Sequence, residues 1–302
     1  MSQGNAETAN KIQNIFGRPL SIFGVPVDRE SIFSDHKGRY KSRIEKCQRR
    51  LIVKTTFIKF FLHHNECIRC LTAGFSPISI LEQLFTGLAF LFFNRALFVF
   101  TDKRILHIPT RFDGTPFGAV SQIWYEDCAQ LRLKGRTLVV KYKNGSEEQF
   151  PYIGRKERKK LKTLIDAIQL KPKAAGNLNA RVNLCPSCTN ILDAQSPICP
   201  TCKLEFKSGF QAKLRSLLIP GGGYFYNRHT VFGAVLGIME IALMTKLILD
   251  GIALKQGFSV DLGWMAVTTF ALIAEKLISA YHTERLTKKF IPEPKEFAVR
   301  KI

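Results

Sequence analysis

LFVFTDKRILHIPT, residues 97–110, holds two short apolar runs broken by Thr101-Asp102-Lys103. The runs are rich in β-branched and aromatic residues, and the polar break is what a tight turn between antiparallel strands requires. The same punctuation continues outward in both directions. ECIRCLTAGF (66–75) lies upstream, and GAVSQIWYEDC (118–128), QLRLKG (130–135) and TLVVKYK (137–143) lie downstream. Asn144-Gly145, between VVKYK and SEEQFPY, is a two-residue hairpin signal, because both turn positions need positive φ. From His63 onward the sequence therefore predicts antiparallel strands.

A helix closes this block. In RKERKKLKTLIDAIQL (155–170), Leu161, Leu164, Ile165 and Ile168 fall on one face at helical spacing, and the other face is basic. Ahead of the strands, RYKSRIEKCQRRLIVKTTFIKFF (39–61) reads as one or two helices with a strongly basic face. Residues 1–15 are polar and aperiodic and are expected to be disordered. Such elements pack most economically as a half-open antiparallel barrel, one end plugged by the closing helix, within a domain spanning 16–170.

The run LFVFTDKRILHIPT, an I-x-Y strand (Ile123, Tyr125), an Asn-Gly hairpin and a last amphipathic helix together resemble bacterial pleckstrin-homology-like (GRAM-like) domains. The resemblance covers roughly residues 55–170. It implies a small barrel with one capping helix, used for lipid or protein docking rather than for catalysis.

After a Pro- and Gly-containing linker (171–182) comes CPSCTNILDAQSPICPTC, residues 185–202. Two CPxC pairs each place two sulfurs on one tight turn, and two such turns can close a tetrahedron around one zinc ion. Cys185, Cys188, Cys199 and Cys202 are the predicted ligands of one structural Zn2+ in a ribbon over 183–207. A shell of four cysteines leaves no open position for water or substrate, so the metal is expected to fold a short segment rather than to catalyse. Cys67 and Cys70 in HHNECIRC (63–70) do not make a second site: in a strand, residues three apart point to opposite faces.

Two long apolar segments follow, VFGAVLGIMEIALMTKLIL (231–249) and LGWMAVTTFALIAEKLISAY (262–281). At 1.5 Å per residue each reaches roughly 30 Å, the thickness of a bilayer core. ISILEQLFTGLAFLFF (78–93) is shorter and is assigned to the barrel. Residues 208–302 therefore read as a membrane module with a basic C-terminal tail. Their approach to the first span, PGGGYFYNRH, is similar to the P-G-x-G-x-F-Y pattern of short two-helix bacterial membrane modules, through Pro220, Gly221, Gly223, Phe225 and Tyr226. Asn227-Arg228-His229 stand where those modules usually carry a further glycine. The glycines are expected to make a tight bend at the interface, with the aromatics at headgroup level.

The whole chain carries a formal charge of +21, which calls for a polyanionic neighbour. Lys213, Arg215 and Arg228 precede the spans, and Arg285, Lys288, Lys289, Lys295, Arg300 and Lys301 follow them. DGIALKQGFSVD (250–261) between them has one lysine. The positive-inside rule then places both termini in the cytoplasm of a multi-pass protein of the bacterial inner membrane. The N-terminus lacks the basic and apolar regions of a signal peptide, so none is expected.

Arg155, Lys156, Arg158, Lys159, Lys160 and Lys162 are candidates for contact with an anionic inner leaflet. Within the spans, Glu240 and Lys276 fall at similar depths in an antiparallel hairpin and are predicted to pair, with Lys246 pairing Asp250 one turn on. No nucleophile–base pair, carboxylate dyad or nucleotide loop is defensible from spacing. The expected function is non-enzymatic: a membrane protein presenting a cytosolic lipid- or protein-docking domain through a zinc ribbon, with an unidentified protein partner. Two other readings stand beside it. One is an accessory or regulatory subunit of a membrane transport or envelope complex. The other is a membrane-tethered nucleic-acid binder, although the ribbon offers only Arg181, Lys203 and Lys207 with Phe206.

Overall fold

A computed structural model describes residues 21–77, 90–155, 157–168, 170, 180–193 and 196–293. The expected disordered N-terminus, most of the 78–93 stretch, Lys156, most of the linker and the basic tail from 294 lie outside these residues. The fold is α+β, with antiparallel sheets, and the chain divides into two compact units after Asp193.

In the first unit, β1 (Ile68–Phe75), β2 (Arg95–Thr101), β3 (Arg104–Pro109) and β4 (Val120–Trp124) form an antiparallel sheet in chain order. The Thr101-Asp102-Lys103 break is the β2–β3 turn, with Phe100 opposite Ile105 and Phe98 opposite His107. A second antiparallel sheet holds β5 (Cys128–Lys134), β6 (Thr137–Tyr142) and β7 (Glu147–Phe150). The Asn144-Gly145 hairpin joins β6 to β7, with Gly145 at φ 87°. Beyond β7, Gly154 N–H donates to Ala73 O at 2.9 Å and Phe75 N–H to Pro151 O at 3.1 Å, tying β1 to the end of the second sheet.

Phe98, Phe100 and Ile105 face a core shared with Leu138, Val140 and Phe150, closed by Leu161 and Ile165 of α3 (Arg158–Ala167). Leu97, Val99 and Leu106 face the opposite way, into a second core. That core is covered by the preceding segment: α1 (Arg29–Phe33), α2 (Ser42–Lys54) and a 3₁₀ turn at Thr56–Phe60. The first sheet is thus buried on both faces, which is why LFVF is continuously apolar rather than alternating. What reads as a basic lead-in is a structural lid. Its Ile52 and Phe33 are buried, and its Gln48 donates to Leu71 O at 2.9 Å and accepts from Leu71 N–H at 3.0 Å. Gln48 thereby satisfies both backbone groups of a residue on the outermost strand, which no neighbouring strand would pair there.

β8 (Val182–Leu184) extends the first sheet by pairing with β4, Asn183 opposite Ser121, and β9 (Ile191–Leu192) pairs with β8. The first half of the cysteine segment is therefore part of the sheet rather than a free-standing ribbon.

The second unit is helical: α4 (Gly209–Leu218), α5 (Gly222–Tyr226), α6 (Thr230–Lys255) and α7 (Leu262–Thr287). Helices α6 and α7 are 26 residues each, longer than the apolar segments that predict them, and both are long and apolar enough to cross a membrane. Their apolar side chains are exposed around most of the circumference: Val231, Val235, Ile238 and Ile248 on α6, and Val267, Phe270, Ile273 and Leu277 on α7. In a water-soluble bundle those side chains would be driven inside.

Candidate functional site

The two cysteine pairs adopt the same local structure fourteen residues apart. Cys185 N–H donates to Asn190 O at 2.8 Å, and Thr189 N–H returns to Cys185 O at 2.9 Å. In the second pair, Cys199 N–H donates to Leu204 O at 2.9 Å and Lys203 N–H to Cys199 O at 3.0 Å. Thr189 and Lys203, each directly after the second cysteine of its pair, both adopt a left-handed backbone with φ 61°. That conformation turns the chain back sharply enough to keep two thiols on one side of each knuckle.

The four Sγ atoms lie within 4.8 Å of one another, with Cys185 and Cys199 buried and Cys202 exposed. None of the four forms a disulfide. A tetrahedron with bonds of ~2.3 Å has sulfurs about 3.8 Å apart, so a small contraction reaches metal-binding geometry. The cluster can hold a metal ion.

Cys67 and Cys70 are buried, while His63 and His64 are exposed. Burial raises the Cys70 thiol to about 11, and the Cys67 thiol is raised as well, chiefly by burial. These are packed thiols, in which burial outweighs the neighbouring Lys160 and Arg69 and disfavours the thiolate a metal needs. Cys128 is pushed up to about 12 by burial and the neighbouring Asp127 carboxylate.

On α3, Arg158, Lys159 and Lys162 are exposed, as is Arg155 just before it. Lys160 is not part of that face. It is buried and its ammonium donates to Ile32 O at 2.8 Å, anchoring α3 to α1, and burial lowers its pKa. Helical spacing puts Lys160 on the inward side, roughly 160° from Lys162. Beside α3 a cleft of about 660 Å³ is lined by Asp35, Arg69, Asp102, Lys103, Trp124 and Glu126, among others. It carries both signs of charge and includes the Thr101-Asp102-Lys103 turn.

A buried ion pair went unnoticed in the sequence. Arg104 Nε donates to Glu66 Oε1 at 3.0 Å and Nη2 to Glu66 Oε2 at 2.9 Å. Arg104 also donates to Gln122 and to Phe61 O, and lies 4.8 Å from the Trp124 ring centroid.

In the second unit the structure brings Glu240 and Lys276 together, with Oε2 and Nζ 2.5 Å apart. Lys276 also donates to Ser216 O at 2.9 Å, and Glu240 Oε1 accepts from Gly221 N–H at 3.3 Å. Lys246 pairs with Asp250. Glu275 lies beside Glu240. The glycines do not make a simple bend at a surface: Gly221, Gly222 and Gly223 are buried, and so are Tyr224 and Tyr226. The Tyr226 hydroxyl accepts from Ser208 N–H at 3.0 Å and donates to Glu293 at 2.6 Å. Arg228 takes a left-handed backbone with φ 64°.

The chain matches no protein-family profile, no curated protein and no solved structure.

Proposed function

We propose that this chain is a non-enzymatic protein of a bacterial inner membrane, in which a pleckstrin-homology-like docking domain is held at the cytosolic face by a zinc-binding knuckle segment. The observation that carries the reading is the combination in one chain of a sandwich closed by a basic-faced helix and two long helices with lipid-like exposure. The antiparallel β1–β4 portion of the six-stranded sheet and the three-stranded sheet, closed by α3, fit the pleckstrin-homology-like pattern. Arg155, Arg158, Lys159 and Lys162 supply an exposed cationic face. Near an anionic leaflet each contributes on the order of 1 kcal/mol. Four thiolates in paired knuckles suit zinc, a soft-tolerant ion that accepts a closed tetrahedral shell.

The test uses the full chain in nanodiscs. Slower hydrogen exchange along Arg158–Ala167 in phosphatidylglycerol than in phosphatidylcholine supports docking to the anionic leaflet. Equal exchange in both overturns lipid docking and leaves the mixed-charge cleft, which suits a peptide segment bearing both signs of charge, as the docking surface.

A further inference from the structure

Helix α4, the Ile219-Pro220-Gly221 turn and α5 form a helical hairpin packed between α6 and α7. The depth of its tip is fixed by contacts at both walls. Along α7, Gly209 lies against Glu284 and Thr287, Ser216 Oγ meets Thr283 Oγ1 at 2.8 Å, and Ser216 O accepts from Lys276. Helix α4 therefore runs from the end of α7 back towards its middle. Along α6, a Cβ on Gly237 would lie 3.1 Å from Pro220 O, and one on Gly221 would lie 2.0 Å from Gly233 O. The turn thus sits beside Gly233–Gly237, three to seven residues or ~5–10 Å from the start of α6, and the Glu240 side chain reaches it from the next turn on.

If that hairpin stood in water, only the remainder of each long helix could cross the bilayer. From Ile238 to Lys255 that is about 27 Å, and from Leu262 to Glu275 about 21 Å, against roughly 30 Å of hydrocarbon. Lys246 and Asp250 lie within the first stretch and shorten it further. Neither length suffices, so the stretches flanking the hairpin must also lie in the core. The outward face of the hairpin suits that place. Phe210, Leu214, Leu217 and Leu218 form one stripe on α4, opposite the packed Ala212 and Ser216, and are 74%, 44%, 48% and 71% exposed. Val235 and Ile238 on α6 and Leu277 on α7 are exposed apolar residues as well.

We propose that residues 209–226 are a re-entrant hairpin whose tip, Leu217–Gly221, is immersed in the acyl chains of the cytosolic leaflet. The inference rests on the membrane-spanning reading of α6 and α7. It also assigns a role to the charges in the spans. A broken helix at membrane depth exposes backbone groups that hydrocarbon cannot satisfy. Lys276 takes the Ser216 carbonyl near the C-terminal end of α4, where the helix dipole favours a cation, and Glu240 takes the Gly221 amide just across the turn. The ion pair is the seal of the turn.

The experiment uses the full chain with Trp124 and Trp264 replaced by phenylalanine, reconstituted in vesicles whose lipids carry bromine on the acyl chains. One probe is Leu218→Trp and the reference is Ile241→Trp, exposed near the middle of α6. The expected result is at least twofold quenching of both by bromolipid and little by aqueous iodide. Quenching of the Ile241→Trp protein by bromolipid, but of the Leu218→Trp protein only by iodide, overturns the re-entrant hairpin and leaves the spans standing. No bromolipid quenching of either overturns the spans and the hairpin together. Ile219→Trp, on the same tip, gives the same reading if the first variant does not purify.

Discussion

Glu66 and Arg104 face each other through two parallel hydrogen bonds in a site almost closed to solvent, with 1% and 2% of their surface exposed. Arg104 holds the turn after β2, Glu66 leads into β1, and Thr101 Oγ1 donates to the same carboxylate at 2.8 Å. The pair pins the strand ends beside the Thr101-Asp102-Lys103 turn. Removing one partner leaves a buried charge without compensation, which typically costs about 3–5 kcal/mol. Arg104→Met is therefore expected to destabilise the first unit by that order in chemical denaturation. Glu66→Leu combined with Arg104→Met is expected to recover most of the loss. A double variant as unstable as the single would show that the guanidinium's other bonds, to Gln122 and Phe61 O, carry the site.

The same pair makes a pH prediction. Burial alone raises the Glu66 pKa, but the bonds from Arg104, the His63 amide and Thr101 outweigh it and hold it below the ordinary value of 4.5. A depressed carboxyl contributes stability above its unfolded pKa and loses it as pH falls through the folded one. The wild-type protein should therefore lose this stabilisation below about pH 4.5. Glu66→Gln should start less stable at pH 7 and show a shallower acid slope. Parallel slopes in urea titrations from pH 7 to pH 3 would dismiss Glu66 as an acid-sensitive group.

The metal prediction is separable from the fold of the sheets. One zinc per chain is expected by elemental analysis, and Cys185→Ser or Cys199→Ser should abolish it. The β1–β7 sandwich has its own two cores and should keep its near-ultraviolet spectrum. Iron in place of zinc, or a well-folded preparation without metal, would overturn the assignment. Thr189→Gly should raise stability by about 1 kcal/mol or less, because a β-branched residue at φ 61° is strained where glycine is not.

How much of this was legible depended on range. The strands around LFVFTDKRILHIPT, the Asn-Gly hairpin and the face of α3 are local patterns, and period and turn chemistry reveal them. The cysteine knuckles are local too. Glu66 and Arg104 are 38 positions apart, and nothing in their neighbourhoods marks them as partners. Lys160 shows the limit of charge reading: a basic run counts cations, but helical phase decides which of them turn inward. The apolar face of α2 was obscured by its basic residues, although its Ile52 is among the buried core. In PGGGYFY, the glycines read as a bend. Their purpose is close approach, which depends on Gly233 and Gly237 some way along the chain.

Close approach carries its own prediction. Gly221 has φ 65°, and a Cβ there would lie 2.0 Å from Gly233 O, a backbone atom that cannot rotate away. Gly221→Ala should therefore lower thermal stability in detergent more than Gly251→Ala, where nothing lies within 4 Å. Gly237→Leu should act like Gly221→Ala, by forcing Pro220 off α6. Equal melting temperatures for Gly221→Ala and Gly251→Ala would mean that the turn does not pack on α6.

The charges at the turn allow the sharpest test of the second unit. Glu240 is completely buried and Lys276 largely so. Glu240→Gln leaves the Lys276 ammonium facing a neutral amide, and Lys276→Met leaves a buried carboxylate beside Glu275. Each single change should destabilise the protein by about 3–5 kcal/mol, the usual cost of orphaning one member of a buried pair. The double variant should be more stable than the Lys276→Met single variant, since no uncompensated charge remains at the pair. It should not reach the wild type, because the Ser216 carbonyl loses its donor in hydrocarbon and that loss is not repaired. Thermal unfolding of the four proteins in one detergent forms a double-mutant cycle whose coupling term measures the pair. A coupling near zero, with the double variant as unstable as the two singles added together, would show that Glu240 and Lys276 act on the turn independently.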